Sequence, residues 1–224
     1  MTSVKEREYK RENMLFYLIM RLCAKPFIYM KYKPLYLHAE RMAECGVVFA
    51  PNHRKTVDSL VLVVGINRAV HWAALKRFFT GEDSIFENSK NPLLCSITKF
   101  VFSKSGMVSI DRDGNNVQSL LKLRQYLQEG EAVGLFPEGT TNKELEKREL
   151  GEIKEGAFLL VKNSKAVIQP IAITWYAEKK HKVIINFRTP IKAEKGKKLE
   201  QLVQEWKDAV HEGIRENNEV ASRE

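Results

Sequence analysis

Two short apolar runs stop at a proline and give way to a polar turn. This repeated pattern constrains the fold more than any other feature. Gly46-Val-Val-Phe-Ala50 ends at Pro51 and is followed by Asn52-His53-Arg54-Lys55-Thr56-Val57-Asp58. The stretch 131–136 ends at Pro137 and is followed by Glu138-Gly139-Thr140-Thr141-Asn142. Proline cannot donate to a sheet ladder, so each run is expected to be a strand that terminates there.

Around these runs, strand-like and helix-like pieces alternate. Further strands are expected over 69–75, 107–110, 166–174 and 182–187, and helices over 56–67, 115–129, 157–162 and 199–214. The 115–129 helix has Asn115 or Asn116 as its cap, Val117, Leu120, Leu121 and Leu127 along it, and Gly130 as its stop. The closing helix sets Leu199, Leu202, Val203, Trp206, Val210 and Ile214 on one side. The alternation predicts an α/β fold with a largely parallel central sheet flanked by helices. No repeat or linker divides the chain. It reads as an N-terminal amphipathic helical segment, 1–36, joined to one domain, 37–224. The stretches 80–90 and 141–152 are the least regular.

The N-terminal segment interleaves Leu15, Phe16, Leu18, Ile19, Leu22, Phe27 and Met30 with Lys10, Arg11, Arg21, Lys25, Lys31 and Lys33. Leu15, Ile19 and Leu22 recur at helical spacing, and Pro26 is expected to break or kink the helix. Such a stretch suits a membrane-docking element, its apolar face in the acyl boundary and its cations at lipid phosphates. It equally suits a helix packed on the domain core. The apolar run from Met14 is cut at Arg21, short of the roughly 20 residues of a spanning helix. Met1 to Glu12 carries both charge signs and does not read as a secretory signal.

Across 224 residues, 37 Lys and Arg face 28 Asp and Glu, a net charge of +9. That surplus suits an anionic partner. Cys23, Cys45 and Cys95 are odd in number and far apart, which argues against a disulfide framework and for a reducing, cytoplasmic compartment. No His, Cys, Asp and Glu pattern has metal-ligand spacing, and no cofactor motif is present.

The chemistry-bearing residues gather at expected strand ends, where α/β sheets place active sites. His53 and Asp58 are five residues apart, which inside a regular helix would point them about 140° apart. They meet only if His53 lies on the turn and Asp58 in the first turn of the helix. Asp58 could then fix the imidazole tautomer, leaving the other nitrogen to take a proton from a hydroxyl. Alternatively, His53 caps the turn and Asp58 favours the helix N-terminus. Glu138, Gly139, Thr140 and Thr141 offer a carboxylate, a close backbone approach and hydroxyls, in a ligand site or a plain βα turn. Arg112, in Gly106-Met-Val-Ser-Ile-Asp-Arg112, could clamp a phosphate or pair with a neighbouring aspartate. Val167-Ile-Gln-Pro170-Ile-Ala-Ile173 is an apolar strand with an unusual central proline.

The order His-x4-Asp, Gly-x3-Ile-Asp-Arg, Phe-Pro-Glu-Gly-Thr and a proline-bearing apolar strand resembles the glycerolipid acyltransferase superfamily. Its 1-acyl-sn-glycerol-3-phosphate acyltransferase branch, which makes phosphatidic acid, is the most similar. The resemblance runs from about Val47 to Ile173. Lys154-Glu-Gly156 and the pieces Ala74-Leu-Lys76 and Asn91-Pro-Leu-Leu94 add smaller echoes. It implies that His53 is the general base and that Asp58 holds its tautomer. It implies that Arg112, Glu138, Gly139, Thr140, Thr141 and Lys154 bind the acceptor. It further implies an acyl-CoA or acyl-carrier-protein thioester as donor and an enzyme that works peripherally on the cytoplasmic face of a membrane. With no G-x-S-x-G elbow, the acceptor attacks directly, and amides of the first turn are expected to hold the oxyanion. Thr141 stands where the phosphatidic-acid-forming enzymes carry arginine. This admits another lysophospholipid or glycerol 3-phosphate as acceptor, with Arg54 and Lys55 supplying charge. Two other classes compete: a non-catalytic binder of anionic lipid, and a hydrolase that would release fatty acid without an acceptor. Nucleic acid is not an expected partner, because the folded domain lacks basic–aromatic interleaving or a binding-module signature.

Overall fold

Side-chain alternation along the proline-terminated strands divides the apolar residues between two cores. The computed structural model describes residues 4–84, 90–111, 114, 116–141, 149–162, 164–194 and 196–224, with backbone alone for 4–13. In it β2 (Val47–Pro51) sends Val48 and Ala50 to one face of a sheet, and Val47 and Phe49 to the other. The other strands are β1 (Leu35–Leu37), β3 (Val70–Leu75), β4 (Val108–Ile110), β5 (Ala132–Gly134), β6 (Val167–Trp175), β7 (Val183–Phe187) and β8 (Ile191–Lys192). They lie in the order β1-β7-β6-β2-β5-β3-β4, with β8 also beside β6. Pairing is parallel except where β6 meets β7 and β8. The largely parallel α/β sheet expected from the sequence is therefore present.

The helices are α1 (Val4–Tyr32), α2 (Asp58–Gly65), α3 (Lys76–Thr80), α4 (Pro92–Lys104), α5 (Val117–Gln128), α6 (Gly156–Lys162) and α7 (Leu199–Ser222). Leu123 of α5, Phe158 of α6 and Trp206 of α7 pack on one face of the sheet. Tyr17 and Ile28 of α1 and Val61 and Leu62 of α2 pack on the other. Strands hydrogen-bonded in parallel and apolar on both sides need this double cover.

Several boundaries differ from the sequence expectation for physical reasons. Pro26 does not end α1, which continues to Tyr32. An interior proline costs about 3 kcal/mol. Tyr17 and Ile28, on either side of it, are fully buried, and each burial contributes about 1.5–3 kcal/mol. Packing therefore outweighs the local penalty. The closing helix runs eight residues past Ile214, because Asn217 and Ala221 continue its buried face. Asn116 occupies the N-cap position of α5, but its side chain does not cap the helix. It instead accepts from the Asp111 amide at 2.8 Å and donates to the Asp111 and Gly114 carbonyls. The alternative cap, Asn115, lies outside the described residues.

Pro170 sits within β6, where β6 changes partner on one side. β8 pairs with Val167 and Ile168, and β7 with residues from Ile171 onward. The Pro170 carbonyl points to that side and accepts from the Arg188 amide at 3.0 Å. Its missing N–H thus falls in the gap between β7 and β8, and the parallel ladder to β2 is intact.

Candidate active site

The turn after β2 is tied down before any chemistry is considered. Asn52 is fully buried, and its side-chain amide donates to the Ile173 carbonyl (3.1 Å) and accepts from the Ile173 amide (2.7 Å). Trp206 donates its indole N–H to the Ala50 carbonyl at 2.8 Å. The end of β2 is thereby bonded to β6 on one side and to α7 on the other. His53 leaves this anchor on the turn, and Asp58 opens α2. This is the arrangement in which a five-residue spacing brings the two side chains together. His53 Nδ1 lies 3.0 Å from Asp58 Oδ2.

Asp58 is fully buried. An unpaired buried carboxylate would cost several kcal/mol, so its partners decide whether the site is stable. Besides His53, Oδ2 accepts from the backbone amides of Arg54 (2.6 Å) and Lys55 (2.8 Å), and Oδ1 accepts from the Trp175 indole N–H (2.7 Å). A carboxylate facing three N–H donors acts as an acceptor, so Nδ1 of His53 carries its proton. Nε2 is then the basic nitrogen, and it has no hydrogen-bond partner among the described residues. Trp175, at the end of β6, was not singled out by its sequence. It is held in turn by the edge-on ring of Tyr32 at 5.2 Å and by Lys55 Nζ, 4.5 Å above its face.

The second proline turn braces the first. Glu138 Oε1 accepts from the His53 amide and Oε2 from the Gly151 amide, both at 2.7 Å. A Cβ on Gly151 would approach Oε2 to 2.8 Å, so this bridge needs glycine there. Burial pushes the Glu138 carboxyl upward, and these amides and Arg54 oppose the shift. Burial also lowers the Arg54 guanidinium, opposed by Glu138, Glu149 and Asp58. The amides of His53, Arg54 and Lys55 are thus all donating to carboxylates. These three amides are therefore not free to hold an oxyanion.

His53 stacks on Phe136 at a centroid distance of 4.0 Å, and Phe136 stacks on Trp72 at 5.5 Å. Trp72 fits because its β5 neighbour is Gly134, where a Cβ would fall 2.2 Å from the indole. These rings open a cavity of about 190 Å³. Its apolar wall comes from β3, α3, α4 and the residues just after β5, including Ala73, Leu75, Phe78, Phe102 and Leu135. Its polar rim includes His53, Thr56, Ser59 and Arg77. A thioester or lipid tail would meet hydrocarbon, and its reacting end would meet the imidazole.

Of the acceptor-binding candidates, Gly139, Thr140 and Thr141 line this cavity, with Gly139 at φ +64°. Glu138 lies just behind them. The stem of Lys154 passes beside Gly139, and its ammonium pairs with Glu152 at 2.8 Å. Arg112 and Asn142 lie outside the described residues. Arg77 is a cation on the cavity wall that sequence reasoning did not select. Its Nε lies 3.2 Å from Asp83.

Comparison with known proteins bears on the family and the fold. A family model described as Acyltransferase matches residues 35–174. A curated 1-acyl-sn-glycerol-3-phosphate acyltransferase from Bacillus subtilis (strain 168) is 30% identical over 131 residues. That match covers 58% of this chain and 56% of the relative, so the chain spans only about half of that protein's length. The crystal structure of the 1-acyl-sn-glycerophosphate acyltransferase PlsC from Thermotoga maritima superposes with a TM-score of 0.66. The superposition covers 97% of this chain and 84% of that one at 13% identity, a likeness of fold.

Proposed function

The chain belongs to the Acyltransferase family, and from that premise we propose that it moves a fatty acyl group from a thioester to a lysophospholipid hydroxyl. The acceptor we favour is 1-acylglycerol 3-phosphate, giving phosphatidic acid. The observation that carries this reading is the 3.0 Å His53–Asp58 contact at the mouth of an apolar cavity. Nε2 of His53 accepts the proton of the acceptor hydroxyl as its oxygen attacks the thioester carbonyl carbon. Asp58 stabilises the imidazolium that forms. When the tetrahedral intermediate collapses, the C–S bond breaks and the thiolate takes the proton back from Nε2. The ester and a free thiol are the products, and no acyl-enzyme is needed.

Thr56, Ser59, Thr140 and Thr141 line the cavity and offer hydroxyls to the reacting end. Arg77 and Lys154 supply positive charge for an acceptor phosphate, alongside Arg112. Glu138 serves that end chiefly by holding the two turns together. The donor is an acyl-CoA or acyl-carrier-protein thioester. The acceptor and a membrane surface are the partners.

The membrane reading comes from α1, whose two faces differ. Tyr17 and Ile28 are buried on the core, whereas Leu15, Leu18, Ile19, Leu22 and Met30 are exposed on the opposite side. Lys25 and Lys31 flank that stripe. The helix packs on the domain with one face and leaves an apolar face exposed, which supports an interfacial role beside the packing role. Among the described residues, no helix is long and apolar enough to cross a membrane. Cys23 and Cys45, exposed as free thiols, suit the cytoplasmic, reducing side.

The test is a matrix of acyl-CoA and acyl-carrier-protein donors against lysophospholipid acceptors and glycerol 3-phosphate, read by thiol release and mass spectrometry of the lipid. Acceptor-dependent thiol release with a diacyl product is expected. Fatty acid released without acceptor would make the chain a hydrolase. Vesicle binding without any thiol would make it a lipid binder.

A further inference from the structure

The residues between the two turns contain a second amphipathic helix whose faces are set by the cavity. Asn91 caps α4 by accepting from the Leu93 amide at 2.9 Å, and Pro92 takes the first turn. At about 100° per residue, Cys95, Thr98 and Phe102 share one face, and Leu93, Ile97 and Phe100 fall within about 60° of one another on the opposite face. The first group is buried, and Phe102 lines the catalytic cavity beside Phe78. The second is open to solvent: Leu93 is 68% exposed, Ile97 44% and Phe100 57%.

Three large apolar side chains aligned on one exposed helix face need an occupant. Two observations name it. First, the stripe is continuous with that of α1, because Phe16 meets Phe100 edge-on at 5.6 Å. Second, α4 carries Lys99 and Lys104 and no acidic residue, and Lys90 precedes it. An apolar stripe on a helix whose only charged residues are cations complements an anionic lipid surface better than a protein helix of mixed charge.

We propose that α4 is a second membrane-contacting element: Leu93, Ile97 and Phe100 enter the acyl boundary of an anionic bilayer while the lysines meet its phosphates. This extends the docking proposed for α1 and depends on it. Its consequence is specific. The helix that touches lipid on one side walls the cavity on the other, through Phe102, so a lipid tail need cross only one helix's width to leave the bilayer for the site.

The test uses the full chain and vesicles of phosphatidylglycerol and phosphatidylcholine, with partitioning read by flotation. Three proteins are compared: wild type, an α4 variant (Leu93→Ser, Ile97→Ser, Phe100→Ser) and an α1 variant (Leu15→Ser, Leu22→Ser, Met30→Ser). The α4 variant is expected to partition roughly tenfold or more less well. It should lose activity on vesicle-embedded acceptor and keep it on a short-chain, water-soluble acceptor, which also shows that it is folded. If only the α1 variant leaves the vesicles, the α4 assignment fails and the docking of α1 stands. If neither leaves, the chain binds the vesicles through other residues, and the docking assigned to α1 and to α4 fails. If wild type is a dimer in size-exclusion chromatography and the α4 variant a monomer with unchanged partitioning, the stripe is a self-interface and the proposal is overturned.

Discussion

His53 and His71 each stand beside a carboxylate, at 3.0 Å from Asp58 and 3.1 Å from Glu131. Distance does not tell them apart. His71 is buried at the start of β3 with both ring nitrogens engaged, Nδ1 by the Gly106 carbonyl at 2.8 Å and Nε2 by Glu131. Its ring lies flat on Tyr126 at 3.6 Å. His53 shares only Nδ1 with its carboxylate among the described residues, and its ring borders a cavity. A histidine with both nitrogens occupied cross-links the fold. One with a nitrogen left over can move a proton.

The sharpest way to break this comparison is to truncate both residues. His53→Ala is expected to lower kcat by about 10²–10⁴-fold or more with little change in the thermal midpoint. His71→Ala should do the reverse, keeping turnover while lowering stability by about 1–3 kcal/mol, because it removes the donor to the buried Gly106 carbonyl. Steady-state rates and denaturant titration of the two variants decide it. Equal loss of activity in both would show that the free nitrogen is not what distinguishes them.

Asp58→Asn comes next. Its amide nitrogen would face donors that now meet an oxygen, so the imidazole loses its orientation. Turnover should fall on the order of 10²–10⁴-fold, whereas Glu131→Gln, the matching change beside His71, should leave the rate unchanged. Trp175→Phe is a smaller perturbation. It keeps an aromatic ring against Tyr32 and deletes the 2.7 Å indole bond to Asp58. A bond to a charged acceptor is worth about 1.5–3 kcal/mol, so kcat should fall about tenfold while KM for the acceptor holds. A rise in KM with kcat unchanged would make Trp175 part of the binding surface instead.

These residues were not equally legible. His53 and Asp58 are five residues apart, and a strand, a proline and a helix start fix the path between them. Local geometry therefore suffices to infer their contact. Trp175 reaches the same carboxylate from 117 residues away. Nothing in β6 alone reveals that, because the contact exists only once β6 lies beside β2. Phe136 shows the same limit. Its place in the second motif is plain, but its stacking on His53 depends on how β5 and β2 register. The sheet was readable from alternation, yet its short members β1 and β8 were not, since two or three residues carry too little pattern. The helix α4 was missed although Asn91-Pro92 is a sound start signal, because Thr98 on its buried face and Leu93, Ile97 and Phe100 on its exposed face invert the expected periodicity.

A third pair, His38 and Glu216 at 2.6 Å, extends the comparison to the surface between β1 and α7. Burial pushes the Glu216 carboxyl upward, but hydrogen bonds from His38, Asn186 and Arg188 outweigh it and hold the group down at about 2. A depressed carboxyl adds stability that is fully present above its unfolded value, about 4.3. That stability is lost as pH falls through the folded value. Glu216→Gln should therefore lower the thermal midpoint at pH 6. The gap to wild type should shrink as pH drops from 5 toward 2, with kcat at neutral pH unchanged, because neither residue lines the cavity. It is the smallest of the expected effects, since Glu216 is partly exposed and solvent screens its partners. A midpoint difference that stays constant across that pH range would mean that the carboxylate is held by shape alone and that His38 and Arg188 contribute no charge to it.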